Sequence, residues 1–113
     1  MRSFKEIKDE LQRVNMSGYS LSQGQIGAMI GELNRACGGD ANRKLFLKAV
    51  FNVTSSKDLS ISQQWALKGF IGIAPFGDTW LPRPDFEAEC KLVLQKQADQ
   101  DGQMKMDLSD PAN

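Results

Sequence analysis

Lys44, Lys48 and Asn52 recur every four residues, so on a helix they line one polar strip, and a strip bearing two ammonium groups suits phosphate oxygens. Arg35, Arg43 and Lys68 flank that strip in the sequence. These five cations are the candidate nucleic-acid-binding set, on the condition that the helices carrying Lys44 and Lys68 pack as an antiparallel pair. Such a surface would grip the backbone without reading bases, and its affinity would fall steeply with salt.

Two other groups of residues point to partner binding. Trp80 and Arg83 lie in the run from Phe76 to Pro84, where an indole and a phenyl ring sit beside an arginine held between prolines. Aromatic rings with arginine make interface anchors and base-stacking platforms, and they also make a lid over a helical core. Gly24, Gly27 and Gly31 fall on the side of a helix opposite its apolar stripe. Each interior glycine costs a helix about 1 kcal/mol relative to alanine, so three of them suggest a bare groove for a partner helix, a loop or a nucleic-acid backbone.

Catalytic chemistry has little to build on. The chain has no histidine, which removes both the usual neutral-pH base and the commonest zinc ligand. Glu87 and Glu89 are two apart and diverge on a helix; no Gly-Lys-Ser/Thr phosphate loop occurs. Cys37 and Cys90 both fall on apolar stripes, where free cysteines are small buried hydrophobes. The expectation is a non-enzymatic protein with no catalytic residues, metal or cofactor.

Positioning these groups falls to a chain of 113 residues, 41% hydrophobic and 25% charged, enough for one core and one domain. The fourteen bases and fourteen acids cancel but are unevenly spread. Residues 35–68 hold six bases against two acids, and residues 78–113 hold four against eight. No stretch is long and apolar enough to span a bilayer, and a mixed-charge helical pattern follows Met1-Arg2, so neither a membrane helix nor a secretory signal is expected. The expected location is the cytoplasm.

The pattern predicts an all-α fold, a compact bundle of about five helices with a long Pro/aromatic loop before the last. Ser3 with Glu6, Ser22 with Gln25, and Ser60 with Gln63 are capping boxes, each opening an apolar repeat of helical period. The first helix should stop near residues 15–18, the second at Gly38-Gly39, the third after Phe51 and the fourth at Gly72. The third, capped by Asp40 or Asn42, carries Leu45, Phe46, Leu47, Val50 and Phe51 almost all round its axis, and it pairs with the fourth at the centre. Pro75, Gly77, Pro82 and Pro84 forbid any regular element of length between residues 73 and 84. Asp85 caps the fifth helix. The domain therefore covers 1–98, and 99–113 is a flexible acidic tail.

The run Leu21-Ser22-Gln23-Gly24-Gln25-Ile26, then Leu33, the apolar third helix, and Ser55-Ser56-Lys57-Asp58-Leu59-Ser60 before Gln63, Trp65, Ala66 and Leu67 resembles a small helical module of bacteriophage proteins. That module is similar to one appended to phage recombination and single-strand-annealing proteins, and the likeness covers roughly residues 20 to 72. It implies a phage or prophage origin, a bacterial host cell as location and work near DNA transactions, and it supplies no catalytic residues. Three readings stay open. One is an accessory module binding single-stranded DNA or a replication or recombination protein. The second is an inhibitor or adaptor whose acidic last third imitates phosphates toward a host protein. The third is a homo-oligomer packed through the glycine face.

Overall fold

The computed structural model describes residues 2–15, 18–76 and 79–109, with side chains omitted for 73–76, 79–80 and 99–109. Among these residues five helices form an all-α bundle: α1 (Phe4–Arg13), α2 (Gln23–Cys37), α3 (Asp40–Phe51), α4 (Ile61–Ile71) and α5 (Phe86–Ser109), with one 3₁₀ turn, Ser56–Asp58, between α3 and α4. Among the described residues, no helix is long and apolar enough to cross a membrane.

Three helix starts follow directly from sequence. In α1 the Glu6 amide donates to Ser3 Oγ at 3.2 Å while the Ser3 amide donates to Glu6 Oε1 at 3.1 Å. The same reciprocal pair joins Ser22 with Gln25 and Ser60 with Gln63. Each box satisfies two amides that a helix start otherwise leaves without partners. Gly38 ends α2 in the left-handed region at φ 92°, as a C-terminal glycine should. The start of α3 differs from expectation: its cap is Gly39, with no side-chain bond. Asn42 instead donates back to the Cys37 carbonyl at 2.9 Å, and Asp40 accepts from Asn34 at 2.7 Å. The first helix also stops early, at Arg13, where Val14 turns extended.

Around one core, α5 packs on α2 and α3, and α1 lies against both α3 and α4. Phe70 is its hub. The Phe46 ring stacks on it at 5.6 Å and the Phe86 ring meets it edge-on at 5.6 Å. Ile7, Met29, Leu33, Leu47, Leu67 and Ile71 fill the space around these rings. The expected lengthwise pairing of α3 and α4 is replaced by contact through Phe46 and Phe70, with α1 spanning both helices. Leu45 departs from expectation too: it is 46% exposed, on the same side of α3 as Lys44 and Lys48.

Residues 73–84 are also more ordered than their prolines suggest. Gly72–Phe76 (β1) and Thr79–Pro82 (β2) pair antiparallel, with Gly72 opposite Pro82, Ile73 opposite Leu81 and Phe76 opposite Thr79. The ladder is irregular between Ile73 and Phe76, where Pro75 can donate no hydrogen bond. With only two strands, each is an edge, and edge strands tolerate proline. The backbone of α5 runs on through Ser109, across residues the sequence assigns to a tail; residues 110–113 lie outside the described part.

Candidate functional site

Two side-chain groupings stand out, one on the surface of α4 and one beneath it. On the surface, Trp65 is half-buried on α4 and its indole Nε1 donates to the Tyr19 carbonyl at 3.3 Å. Lys68, three residues along the same helix, holds its Nζ 5.2 Å from the Trp65 ring centroid, a cation–π arrangement. Tyr19 projects from the α1–α2 connection with 81% of its surface exposed. Trp65 forms a wall between two depressions. One, of about 380 Å³, is lined by Tyr19, Ser20, Leu21, Ser22, Gln25 and Trp65. The other, of about 200 Å³, is lined by Arg2, Glu10, Trp65, Gly69, Phe70 and Arg83 among others.

The second grouping lies at the floor of that smaller depression. Glu89, on the first turn of α5, is 1% exposed. Its Oε2 accepts from the Arg2 amide at 3.0 Å and from Arg2 Nε at 3.1 Å, and its Oε1 accepts from Arg2 Nη2 at 3.0 Å and Arg83 Nη2 at 2.6 Å. Arg83 Nε donates to the Phe70 carbonyl at 2.6 Å, and Arg2 also pairs with Glu10. Both guanidinium groups lie over the Phe70 ring, at 5.9 Å for Arg2 and 5.2 Å for Arg83. Every polar side chain in this cluster has a partner, so it serves as a clasp joining the N-terminal segment, α4, the residue after β2 and α5.

Burial alone would raise the Glu89 pKa, but the hydrogen bonds from Arg2 and Arg83 outweigh it and hold the carboxyl down at about 2. A folded-state pKa below the unfolded value of 4.5 means stabilisation that is complete above pH 4.5 and lost as pH falls toward 2. Chemical denaturation at pH 6, 4 and 3 should therefore give a midpoint that drops below pH 4.5. In a Glu89→Gln variant that part of the drop should be absent.

The residues singled out in the sequence are distributed as follows. Arg35 is exposed and bound to Glu32 at 2.7 Å. Arg43 is folded down against Asp40 at 3.4 Å, its side chain 12% exposed. Lys44 and Lys48 are exposed on α3, and among the described residues neither forms an ion pair. Lys68 lies on Trp65. The five cations thus belong to three helices, and among the described residues only Lys68 of the five makes a cation–π contact. Gly24, Gly27 and Gly31 are exposed on α2, and a Cβ at Gly27 or Gly31 would meet nothing within 4 Å. Beside them Ile26, Gly27 and Ile30 with Ser56, Lys57 and Gln64 line an apolar groove of about 380 Å³. Arg83 belongs to the Glu89 clasp. Trp80 lies on β2, and its side chain is outside the described part of the structure.

Sequence reasoning missed Glu89, although a signal existed: it is three residues after Phe86 and four before Val93, inside the apolar stripe of α5. It also missed the meeting of Tyr19 with Trp65, for which a separation of 46 positions leaves no local pattern. No group of three or more metal-ligating side chains occurs among the described residues. Compared with protein-family models, with curated proteins and with solved structures, the chain matches none.

Proposed function

We propose that this chain is a non-enzymatic accessory module, of phage association, that acts near DNA replication or recombination by binding single-stranded nucleic acid weakly on the Tyr19–Trp65–Lys68 face. The observation that carries this reading is the indole of Trp65 standing between two open depressions with a lysine ammonium on its ring and an exposed tyrosine beside it. An aromatic face accepts any base, and each stacked base contributes about 1–3 kcal/mol. Lys68 supplies a charge for the adjoining phosphate, and Lys44 and Lys48 add two exposed cations on α3. The absence of net charge keeps the affinity low, as suits an accessory contact.

The test is anisotropy of a labelled oligothymidylate titrated with the protein at rising salt. Affinity should fall as salt rises, and Trp65→Ala should weaken it about tenfold, the loss of one stacked base. Lys68→Ala should flatten the salt slope, and Lys44→Ala with Lys48→Ala should flatten it further. No binding at low salt, or binding indifferent to Trp65→Ala, overturns the assignment.

A further inference from the structure

We propose that the apolar groove beside α2 is a self-association surface, where a second copy of this chain docks so that two α2 helices cross near Gly27 about a two-fold axis. The groove is separate from the Trp65 face: none of the residues lining it lines either depression beside the indole. Ile26, Gly27 and Ile30 of α2 line it together with Ser56, Lys57 and Gln64. Both isoleucines are only half-buried, and Ser56 Oγ is buried with no hydrogen-bond partner among the described residues. A hydroxyl left in that state costs free energy until another molecule supplies the bond.

The glycines at the groove have no use within the described fold. Gly27 and Gly31 sit in regular helix, neither at positive φ, and a Cβ on either would meet nothing within 4 Å. Alanine would fit at both and strengthen the helix, so the monomer forgoes stability at each. What bare backbone gives in return is closeness, because two helices with no side chains between them approach to the short end of the usual range of about 8–10 Å between axes.

Charge decides the occupant. Residues 14–31 form an uncharged run of 18 positions, twice as long as any other in a chain that is 25% charged. The two charges that α2 does carry, Glu32 and Arg35, pair with each other at 2.7 Å. Lys57, the single cation on the groove wall, is exposed, and its long stem carries the ammonium out to water. A basic or acidic partner would find no counter-charge on this strip. A second copy needs none: in a two-fold pair the residues at the axis meet their own counterparts, where any charge would face its like, and an uncharged strip centred on glycine is its own complement. With 15 residues α2 is about 22 Å long, and one helix face covers less than the roughly 800 Å² per partner of a stable complex, so the dimer is weak and depends on concentration.

Sedimentation velocity of the whole chain from about 10 μM to about 1 mM is the test. The weight-average mass should climb from one chain toward two, and raising salt from about 0.1 M to about 1 M should leave that climb in place, because no ion pair is there to screen. Gly27→Leu should weaken association at least about tenfold, while melting at or above the parent temperature at the low concentration where both are monomers. The melting measurement separates loss of the contact from loss of the fold. Gly31→Gln, at a second open position, should weaken the dimer too, which keeps the assignment testable if Gly27→Leu fails to fold. A chain that stays monomeric at about 1 mM, leaving the groove to a different occupant, overturns the proposal. So does a dimer that salt dissolves, or one that both substitutions leave intact.

Discussion

Glu89→Ala should lower the unfolding free energy by about 3 kcal/mol, because removing one partner of a buried ion cluster strands the others. The carboxylate is 1% exposed and receives four hydrogen bonds, three from Arg2 and one from Arg83. Without it two guanidinium groups that both lie over the Phe70 ring have no counter-charge between them. Both are partly open to water, at 27% and 30% side-chain exposure, which lets solvent take back part of the cost and keeps the figure below that of a fully enclosed pair. Arg83→Ala should cost less, since Arg2 still satisfies Glu89. Urea denaturation of the three proteins at pH 7 checks the order, and equal midpoints for Glu89→Ala and the parent would show that the clasp contributes nothing.

Gly72→Ala should be as damaging, by about 3 kcal/mol, through backbone geometry instead of charge. Gly72 joins α4 to β1 at φ 143°, a conformation L side chains rarely adopt. A Cβ there would lie 2.2 Å from the Leu81 carbonyl oxygen and 3.0 Å from the Arg83 amide nitrogen. Neither atom can swing aside, because Leu81 is held in β2 and the Arg83 amide donates to the Ile71 carbonyl at 2.7 Å. Thermal melting gives the comparison, with Gly69→Ala as control: Gly69 is helical and exposed and a Cβ there would meet nothing within 4 Å beyond its own helix, so alanine there should be neutral or slightly stabilising. A Gly72→Ala protein melting with the parent would refute the close approach.

The contrast between these residues and the helix caps explains what the sequence could reveal. Ser22 and Gln25 are three apart and satisfy each other locally, so the start of α2 needed no knowledge of the rest of the chain. The core faces of α1, α2 and α4 were equally legible, because period alone marks them. On α3, apolar residues surround the axis, and period cannot say which one faces water; packing by α1, α2 and α5 chose Leu45. The prolines argued against strands, yet a two-stranded ribbon has only edges, the one setting in which Pro75 and Pro82 leave few hydrogen bonds unmade. For the site, residue types were informative and positions were not. Lys68 belongs to the cationic set and the indole singled out was Trp80, beside Arg83, while in the fold it is Trp65 that lies beside Lys68. Arg83 was expected at a partner surface and is instead engaged by Glu89.

The clasp also orders the events of folding. Its two principal members, Arg2 and Glu89, are 87 positions apart, so their contact closes nearly the whole chain into one loop and can form only after the intervening helices have assembled. Interactions made that late are absent from the transition state, and their loss shows in the unfolding rate while refolding keeps its pace. The residue that fastens this small bundle therefore governs how long it stays shut more than how quickly it is built.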